Sequence, residues 1–468
     1  MTQVHFIGIG GSGISAIARL HLERGYVVTG SDRALSPLAL DLQKLGATIH
    51  PGHAAENISG ADWVVRSSAI PDSNPEVVAA LAQNIPVYKR ADYLGRLMAD
   101  KIGIAIAGTH GKTTTSAMMA WTLSQLGEDP SFIVGGVLTN FGVNAHDGKG
   151  AAFVIEADEY DRMFLGLKPR YEIVTNVEHD HPDCYPTPAD FQAAFVEFVS
   201  LVPADGVLVI SAEDKGAIAL TATARRMNKR IIAYRIAENN LTQAGEWALA
   251  QNLMTNQRGG FTFNVIMRLQ SGPQYISSVQ LQVPGLHNVR NALAVLAVIA
   301  LMGLSLKEAA AALAEFRGAD RRFEIKGVAQ GITIIDDYAH HPTEIKATLD
   351  AARARYAARR IWAVWQPHTY SRTRALFDDF LVSFGEADQV IVSEIYASRE
   401  PIEDFSAAAF VERLRSQSAQ FIPTLSEISN YLVSHLKSGD VVIVLSAGDA
   451  DRVSAEVLAR LNQGESHE

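Results

Sequence analysis

The sequence predicts an α/β fold divided into three domains, and three observations support this. Runs typical of strands alternate with runs typical of helices along almost the whole chain. Two glycine-rich turns each follow an apolar strand and open a helix. The length of 468 residues exceeds what one ordinary hydrophobic core covers. We place the domains at residues 1–98, 99–316 and 317–468.

The first domain opens with a strand, a glycine-rich turn and a helix. Residues 4–9 form a continuous apolar run, and residues 12–24 carry apolar side chains at helical spacing. The next strand, residues 26–32, ends in Asp32. The turn GIGGSG (residues 8–13) would let a diphosphate approach the backbone, and Asp32 is placed for ribose hydroxyls. A Rossmann-like domain is predicted. A dinucleotide cofactor is the first interpretation, and a tight turn that binds nothing is the alternative.

A second strand, turn and helix open the central domain. The apolar run IGIAIAG leads into GTHGKTTT (residues 108–115), and a helix is predicted over residues 116–126. The spacing departs from the strict Walker pattern, because Ile106 stands where that pattern has its first glycine. The Gly-Lys-Thr core remains, with Lys112 as a point charge for the β and γ phosphates and Thr113 as a metal ligand. The sequence therefore predicts a P-loop ATPase-like domain that binds ATP with Mg²⁺, or with Mn²⁺ in its place.

Acidic and histidine side chains follow the next two predicted strands. EADEYD begins at the end of the strand 152–155, and NVEHDHPDC follows the strand 172–175. Open α/β sheets place their sites at such strand ends, and carboxylates suit Mg²⁺ beside phosphate. Zinc is a rival ion, because His179, His181 and Cys184 have suitable ligand types. Loop histidines that only satisfy backbone groups are a third possibility.

The remaining elements complete two sheets. Residues 261–283 alternate in polarity and predict an antiparallel hairpin, and PGLHN starts an alanine-rich helix over residues 289–302. The C-terminal domain is predicted to be Rossmann-like as well. Its strands are expected at residues 332–336, 361–365, 390–392 and 441–445.

Composition restricts the function and the location. Basic side chains number 41 against 51 acidic ones, a net charge of -10, so no basic surface for nucleic acid is expected. The one cysteine, Cys184, excludes an intrachain disulfide and fits a reducing compartment. No signal peptide is recognised at the N-terminus, and the apolar run 292–302 is too short to span a bilayer. We expect a cytoplasmic protein without membrane insertion.

In this order, GTHGKTTT, EADEYD and NVEHDHPD resemble the Mur ligases, the ATP-dependent amide-forming enzymes of peptidoglycan synthesis. The resemblance extends over all three domains through GLHNVRNALA (residues 285–294), RRFE (321–324), DDYAHHPTEI (336–345) and QPHTYSRT (366–373). It implies that the first turn holds the diphosphate of UDP-N-acetylmuramate and the second holds ATP. The γ-phosphoryl group would pass to the sugar's carboxylate, and the amine of L-alanine would attack the acyl phosphate.

The resemblance also implies site residues. Catalytic residues would be Lys112, Glu156, His181, His340 and Arg372, and the metal ligands would be Thr113, Glu156 and His181. ATP would contact Gly108, Thr109, His110, Gly111, Lys112, Thr113, Thr114, His287, Asn288, Asn291 and Arg321. The UDP-sugar would contact Gly8, Gly10, Gly11, Ser12, Gly13, Asp32, His53 and Ser67. Tyr338, His340 and Arg372 would bind the amino acid, with the arginine forked onto its carboxylate.

Some positions depart from the family pattern. Phe195 replaces the carbamylated lysine of several relatives, as in the alanine-adding branch, and Thr369 stands where many alanine-adding enzymes have arginine. Residues 398–401 and 445–449 also differ from the expected runs of small residues. These departures affect individual contacts rather than the fold.

Three hypotheses compete with an alanine-adding ligase. One is a recycling ligase that attaches a tripeptide to the same sugar nucleotide. The second, a nicotinamide dehydrogenase, gives no role to the Gly-Lys-Thr core. The third, a regulatory ATP-binding module, does not need the C-terminal motifs. The expected partners are UDP-N-acetylmuramate, L-alanine and ATP, bound by a monomer or weak homodimer.

Overall fold

The computed structural model describes residues 1–237, 245–414 and 418–464. Its strands form three sheets that follow one another along the chain, each flanked by helices. The predicted three-domain α/β architecture is confirmed. The chain leaves the first sheet between Leu97 and Ile102 and leaves the second between Ala314 and Glu324. We propose the domain boundaries within these two connections.

The N-terminal sheet has five parallel strands in the order β3-β2-β1-β4-β5. The predicted strand 4–9 ends earlier, because Gly8 takes a left-handed backbone (φ 79°) and turns the chain out of the sheet. The strands are β1 Gln3–Ile7, β2 Val27–Asp32, β3 Thr48–Pro51, β4 Trp63–Arg66 and β5 Val87–Lys89. The helices are α1 Ser12–Glu23, α2 Pro37–Lys44, α3 Pro75–Ala82 and α4 Arg90–Leu97, with a 3-10 turn at Ala55–Ile58.

The central sheet has ten strands among the described residues, in the order β15-β14-β13-β12-β11-β10-β6-β9-β7-β8. The predicted hairpin is confirmed as the antiparallel pair β14 and β15. The strands are β6 Ile102–Ala107, β7 Ser131–Leu138, β8 Val143–His146, β9 Ala152–Glu156, β10 Tyr171–Val174, β11 Val207–Ser211, β12 Arg230–Ile236, β13 Glu246–Thr255, β14 Phe261–Leu269 and β15 Gly272–Gln280. The helices are α5 Lys112–Gln125, α6 Pro188–Ser200, α7 Lys215–Arg226, α8 Leu286–Leu301 and α9 Leu306–Ala314, with a 3-10 turn at Tyr160–Gly166.

The C-terminal sheet has the order β16-β17-β21-β18-β19-β20, parallel except for β16. Its helix α10 starts with a capping box. The side chain of His341 accepts a hydrogen bond from Thr343 N, and the Glu344 side chain accepts one from the backbone N–H of His341. The strands are β16 Glu324–Ala329, β17 Ile332–Asp337, β18 Ile361–Trp365, β19 Gln389–Val392, β20 Ser418–Phe421 and β21 Val441–Leu445. The helices are α10 Pro342–Arg355, α11 Tyr370–Ala375, α12 Phe377–Leu381, α13 Ala408–Val411, α14 Leu425–His435 and α15 Asp451–Gly464.

Several inner strands of the central and C-terminal sheets are buried on both faces. The strands β6, β11, β17, β18 and β21 consist almost entirely of buried residues, which is typical of parallel strands covered by helices on both sides. Polar side chains therefore gather where these strands end. Within the described ranges, no helix combines the length and the apolar character needed to cross a membrane.

Glu172 is an exception inside the central core. It lies on β10 with its side chain fully buried, and neither carboxylate oxygen has a hydrogen-bond partner among the described residues. Burial raises the pKa of Glu172 well above its ordinary value. A carboxyl whose pKa is higher in the folded state than in the unfolded state makes the fold more stable at low pH. This contribution is complete below the unfolded pKa and is lost as the pH rises through the folded pKa.

Replacement of Glu172 by leucine is therefore expected to stabilise the central domain. The free energy of unfolding should rise by about 1–3 kcal/mol at pH 8, because an unsatisfied buried polar group is removed. The gain should be smaller at pH 5, where the wild-type carboxyl holds its proton in the fold. Urea unfolding at both pH values measures this, with the exposed Glu197→Leu on α6 as control. A less stable Glu172→Leu at pH 8 would contradict it.

Candidate active site

Two neighbouring cavities open at the carboxyl ends of the central strands. The larger one, about 620 Å³, lies between the central domain and the C-terminal domain. The smaller one, about 500 Å³, is lined by residues of all three domains. The two cavities share Gly111, Arg322 and Glu344 as lining residues. Substrates bound in them would therefore lie next to each other.

The GTHGKTTT turn joins β6 to α5 between these cavities. Gly111 precedes α5 in left-handed backbone (φ 81°), and a Cβ on Gly108 would collide with the Thr175 hydroxyl. Both positions therefore need glycine, and the helix N-terminus faces the cavities as anion sites require. The predicted ATP residues divide between the two sides. His110 and Thr114 line the larger cavity, Thr109, Lys112 and Thr113 line the smaller, and Gly111 lines both.

Lys112 holds a fixed positive charge in the smaller cavity. Its Nζ donates to the carbonyl oxygens of Gly108 at 2.6 Å and Thr109 at 3.0 Å, and to Glu159 Oε1 at 2.9 Å. Burial alone would lower the pKa of Lys112, but the Glu159 carboxylate outweighs it and raises the pKa. The ammonium group is thus charged, and an anionic ligand would replace one of these three acceptors.

Glu156 and Thr113 form a pair of oxygen ligands beside this lysine. Thr113 Oγ1 donates to Glu156 Oε1 at 3.1 Å, and Gly135 N donates to Oε2 at 2.6 Å. Burial raises the pKa of Glu156 and of the neighbouring Asp158. Crowded, desolvated carboxylate oxygens beside a phosphate-type loop are the donor set that Mg²⁺ takes. The residues present therefore fit the predicted ion.

His181 lines the same cavity, facing Glu159. Its Nε2 lies 3.7 Å from Glu159 Oε1 and 3.7 Å from Asp180 Oδ2, and its Nδ1 has no hydrogen-bond partner within the described part of the chain. Burial would lower the pKa of His181, but the neighbouring carboxylates of Glu159 and Asp180 raise it. The predicted metal ligands Thr113, Glu156 and His181 thus line one cavity.

The rival zinc ligands do not converge. His179 Nε2 donates to the carbonyl of Tyr185 at 2.8 Å, and Cys184 packs against the hydrophobic core. Among the described residues, the metal-type side chains whose ligand atoms come within 4.8 Å of one another form a different group, which includes none of these three. The structure therefore gives the zinc hypothesis at His179, His181 and Cys184 no support.

The first glycine turn reaches the smaller cavity as well. Gly10 N donates to Asp32 Oδ2 at 2.8 Å, and Gly11 N donates to the carbonyl of Gly8 at 3.2 Å. A Cβ on Gly10 would lie 3.0 Å from that same carboxylate oxygen, so the turn has little space for a side chain. Ser67 lies against Gly8, and the end of the turn, Ser12 and Gly13, lines the cavity.

His53 lies in a separate polar cluster of the first domain. Its Nδ1 lies 3.0 Å from Ser31 Oγ and 3.2 Å from Glu76 Oε2. Burial would raise the pKa of Glu76, but the nearby His5 imidazole and hydrogen bonds from Ser31 and Asn57 lower it to about 2. His53 is thus already engaged by this carboxylate, and its predicted contact with the uridine nucleotide stays a prediction.

Arg90 is a site residue that sequence reasoning missed. It begins α4, lines the smaller cavity and packs so closely on Gly13 that a Cβ there would collide with its guanidinium. No hydrogen bond or ion pair joins this guanidinium to another described residue, and burial lowers the pKa of Arg90. A desolvated cation between the two glycine turns is suited to an anionic substrate group. No sequence motif contains Arg90. The available signal is its position as the first residue of α4, directly after β5.

The predicted adenine contacts line the larger cavity. Asn291 Nδ2 donates to Asn288 Oδ1 at 3.2 Å, and Asn288 Nδ2 donates to the carbonyl of Pro284 at 2.7 Å. Burial and the charges of Arg290 and Arg322 lower the pKa of His287 to about 4, so its ring is neutral. Amide groups and a neutral ring in a partly apolar cavity suit a planar heterocycle.

The C-terminal domain adds Arg321, Tyr338 and His340 to the smaller cavity. Arg321, a predicted ATP contact, pairs with Asp336 at 3.0 Å and does not line the larger cavity. The guanidinium groups of Arg321 and Arg322 each lie 5.2 Å from the centroid of the Tyr338 ring. Burial is the main cause that lowers the pKa of His340 to about 3, so this imidazole is neutral and able to accept a hydrogen bond.

Arg372 is buried and bound across the domain interface. Its Nε and Nη2 both donate to Asp180 Oδ1, at 3.0 and 2.7 Å, and its Nη1 lies 3.1 Å from His368 Nδ1. Burial would raise the pKa of Asp180, but the charge of Arg372 lowers it strongly. The predicted fork onto the amino acid's carboxylate therefore requires that carboxylate to replace or share Asp180.

The departures from the family pattern have structural partners. Phe195 is fully buried against Phe164 and Phe191, with ring centroids 5.3 and 5.1 Å away. Thr369 is buried at the start of α11. Arg399 Nη2 donates to Asp183 Oδ2 at 2.7 Å across the mouth of the smaller cavity. Thr369, Asp183 and Arg399 line the smaller cavity, whereas Phe195 belongs to the hydrophobic core.

Comparison with family models identifies all three parts of the chain. The model "Mur ligase family, catalytic domain" matches residues 3–102, "Mur ligase middle domain" matches residues 106–299, and "Mur ligase, glutamate ligase domain" matches residues 321–448. Together these matches span most of the sequence.

Curated relatives match over nearly the full length. UDP-N-acetylmuramate–L-alanine ligase of Salinibacter ruber is 42% identical over 457 residues, covering 97% of this chain and 93% of the relative. The protein of the same name from Renibacterium salmoninarum is 42% identical over 98% of this chain and 96% of its own.

Two solved structures share the whole architecture. UDP-N-acetylmuramate–alanine ligase from Thermotoga maritima superposes with a TM-score of 0.80 at 29% identity, covering 99% of this chain and 100% of that one. A murein peptide ligase from Psychrobacter arcticus gives a TM-score of 0.69 at 28% identity, covering 99% of each chain.

Proposed function

This chain belongs to the Mur ligase family, and we propose that it joins L-alanine to UDP-N-acetylmuramate at the expense of ATP. The observation that carries the proposal is the smaller cavity, where the end of the first glycine turn faces the phosphate loop. Ser12 and Gly13 line it from one domain, and Lys112 and Thr113 line it from the next. Two phosphate-binding turns in one chain are thereby explained, because a sugar nucleotide and ATP must meet.

The reaction needs an activated carboxylate, because a free one does not react with an amine at neutral pH. The muramate carboxylate attacks the γ-phosphorus of ATP, the bond to the β-γ bridging oxygen breaks, and ADP leaves. The amine of alanine then attacks the acyl phosphate, and the tetrahedral intermediate expels inorganic phosphate. The products are UDP-N-acetylmuramoyl-L-alanine, ADP and phosphate. Catalysis of such a transfer consists mostly of positioning and charge neutralisation.

The site residues divide this work. Lys112 neutralises phosphate charge, and Arg90 is placed to bind an anionic group of the sugar nucleotide. Thr113, Glu156 and His181 would hold Mg²⁺, or Mn²⁺, which neutralises phosphoryl charge when bound. His340, neutral at pH 7, can accept a hydrogen bond from the attacking amine, but its lowered pKa makes it too weak a base to hold the amine's proton, which leaves to water or with the phosphate. Adenine would occupy the larger cavity beside Asn288 and Asn291.

The competing hypotheses account for less. A nicotinamide dehydrogenase leaves the phosphate loop without a role, and a regulatory ATP module leaves the C-terminal site without one. The tripeptide-attaching ligase is the weaker alternative, because the murein peptide ligase superposes less well than the alanine ligase. We place the enzyme in the cytoplasm, where ATP is available, as a monomer or weak homodimer.

The test is phosphate release from ATP. Release is expected only when UDP-N-acetylmuramate, L-alanine and Mg²⁺ are all present, and omission of any one should reduce it to background. Calorimetry should detect UDP-N-acetylmuramate binding and no NAD binding. NAD binding without binding of the uridine nucleotide would refute the proposal. ATP hydrolysis at the same rate with and without the amine would also refute it.

A further inference from the structure

A cluster of metal-type ligands joins the central and C-terminal domains beside the larger cavity. His110 Nε2 lies 3.1 Å from Glu178 Oε2, and His341 Nδ1 lies 3.8 Å from the same oxygen. One ligand atom from each of these three side chains lies within 4.8 Å of the other two. The reaction described above assigns no role to Glu178 or His341.

The spacing fits one tetrahedral ion. Ligands about 2.1 Å from a tetrahedral centre lie about 3.4 Å from one another. The two measured separations, 3.1 and 3.8 Å, lie on either side of that value. Small side-chain movements would therefore bring all three atoms to bonding distance, with a fourth position left for water.

The surrounding bonds orient the ligands as outer partners of metal sites do. His110 Nδ1 lies 3.2 Å from Glu344 Oε1, so a carboxylate holds the ring nitrogen that would not bind the ion. Thr343 Oγ1 donates to Glu178 Oε2 at 2.7 Å and fixes that carboxylate. The long 3.3 Å bond from Thr343 N to His341 Nδ1 is the contact that ligation would replace.

We propose that His110, Glu178 and His341 bind one transition-metal ion of the zinc class, which ties the C-terminal domain to the central domain. Two imidazoles among three ligands favour zinc over Mg²⁺, because Mg²⁺ prefers a ligand set made up mostly of oxygen atoms. The site is distinct from the catalytic magnesium ligands, none of which it contains. The ligands come from three separate motifs and meet only when the two domains are in contact.

The experiment titrates the metal-free full chain with Zn²⁺ by calorimetry in excess Mg²⁺, and with Co²⁺ by visible absorption. We expect one ion per chain and the intense bands of four-coordinate Co²⁺. His341→Ala should weaken Zn²⁺ binding at least about 100-fold, and Thr343→Val about 10-fold through the outer shell. Glu178→Gln, which keeps the shape of the side chain, provides a second ligand variant if His341→Ala fails to fold.

Two controls separate this site from other zinc binding. His146→Ala removes an exposed histidine that also lies beside two carboxylates, Glu23 and Asp129, and it should leave the affinity unchanged. His181→Ala should also leave the affinity unchanged, because His181 belongs to the smaller cavity. Equal affinity in the wild type and in both ligand variants would overturn the proposal. So would loss of binding in His181→Ala, or failure of the wild type to bind one equivalent.

Discussion

Replacement of Glu156 by alanine is expected to lower turnover about 10²–10³-fold while UDP-N-acetylmuramate binding changes little. Glu156 is held from both sides, by the Thr113 hydroxyl and by Gly135 N. Its loss removes a metal ligand and leaves phosphate charge unneutralised as the γ-phosphoryl group transfers. The cost is therefore expected to fall on the chemical step rather than on binding of the sugar nucleotide, which we propose takes place mainly at the first domain.

Phosphate release at saturating substrates and calorimetry with UDP-N-acetylmuramate measure the two effects separately. His181→Ala should behave like Glu156→Ala, and chelation of Mg²⁺ should abolish wild-type turnover. Glu246→Ala is the matched control, because that carboxylate pairs with Arg230 outside both cavities. Full activity in Glu156→Ala, with its fold intact, would remove this residue from the metal site.

Local sequence signals predicted the fold and the strand, turn and helix around each of the two glycine-rich turns. Continuous apolar runs gave strands within one or two residues, because buried parallel strands need no alternation. The helix after the phosphate loop begins at Lys112 rather than at Ser116. The three threonines of GKTTT have low helix propensity, yet Thr115 is fully buried and packing overrides that preference.

Contacts between distant segments could not be predicted from sequence. Arg90 lies 22 positions before Lys112 and carries no motif, and only the approach of α4 to the first glycine turn places it in the cavity. The pairing of Arg372 with Asp180 joins residues 192 positions apart. Such pairs follow from the packing of whole domains, which local patterns do not encode.

The second large effect concerns Arg372 and the choice of amine. Arg372→Lys is expected to raise the L-alanine requirement at least about 30-fold, about 2 kcal/mol, because lysine cannot form the two-pronged bond of a guanidinium. In the structure two of its N–H groups already converge on one oxygen of Asp180, in a site where both side chains are 5% exposed. A substrate carboxylate entering there would meet a desolvated, charged fork.

The measurement compares two KM values of Arg372→Lys with those of the wild type. The KM for alanine should rise as stated, and the KM for UDP-N-acetylmuramate should stay within about twofold of the wild-type value. Arg374→Lys is the matched control on the same helix, because that arginine is exposed and pairs with Glu403. A structural loss would affect both substrates, whereas loss of the fork affects the amino acid alone. Equal alanine requirements in Arg372→Lys and the wild type would exclude the fork.

The same site decides between alanine and a tripeptide. The fork can reach a carboxylate only if it lies one carbon from the attacking amine, as in an α-amino acid. A tripeptide presents a neutral amide at that point, which cannot replace the Asp180 carboxylate in the fork, so the tripeptide forgoes the charged pair, a loss of about 2–5 kcal/mol. Glycine, which lacks only a methyl group, should lose about 1–3 kcal/mol and still react slowly.

We therefore expect phosphate release to fall from L-alanine to L-serine and glycine, with none for the tripeptide. If the tripeptide is the best amine, the recycling ligase is correct and Arg372 serves Asp180 alone.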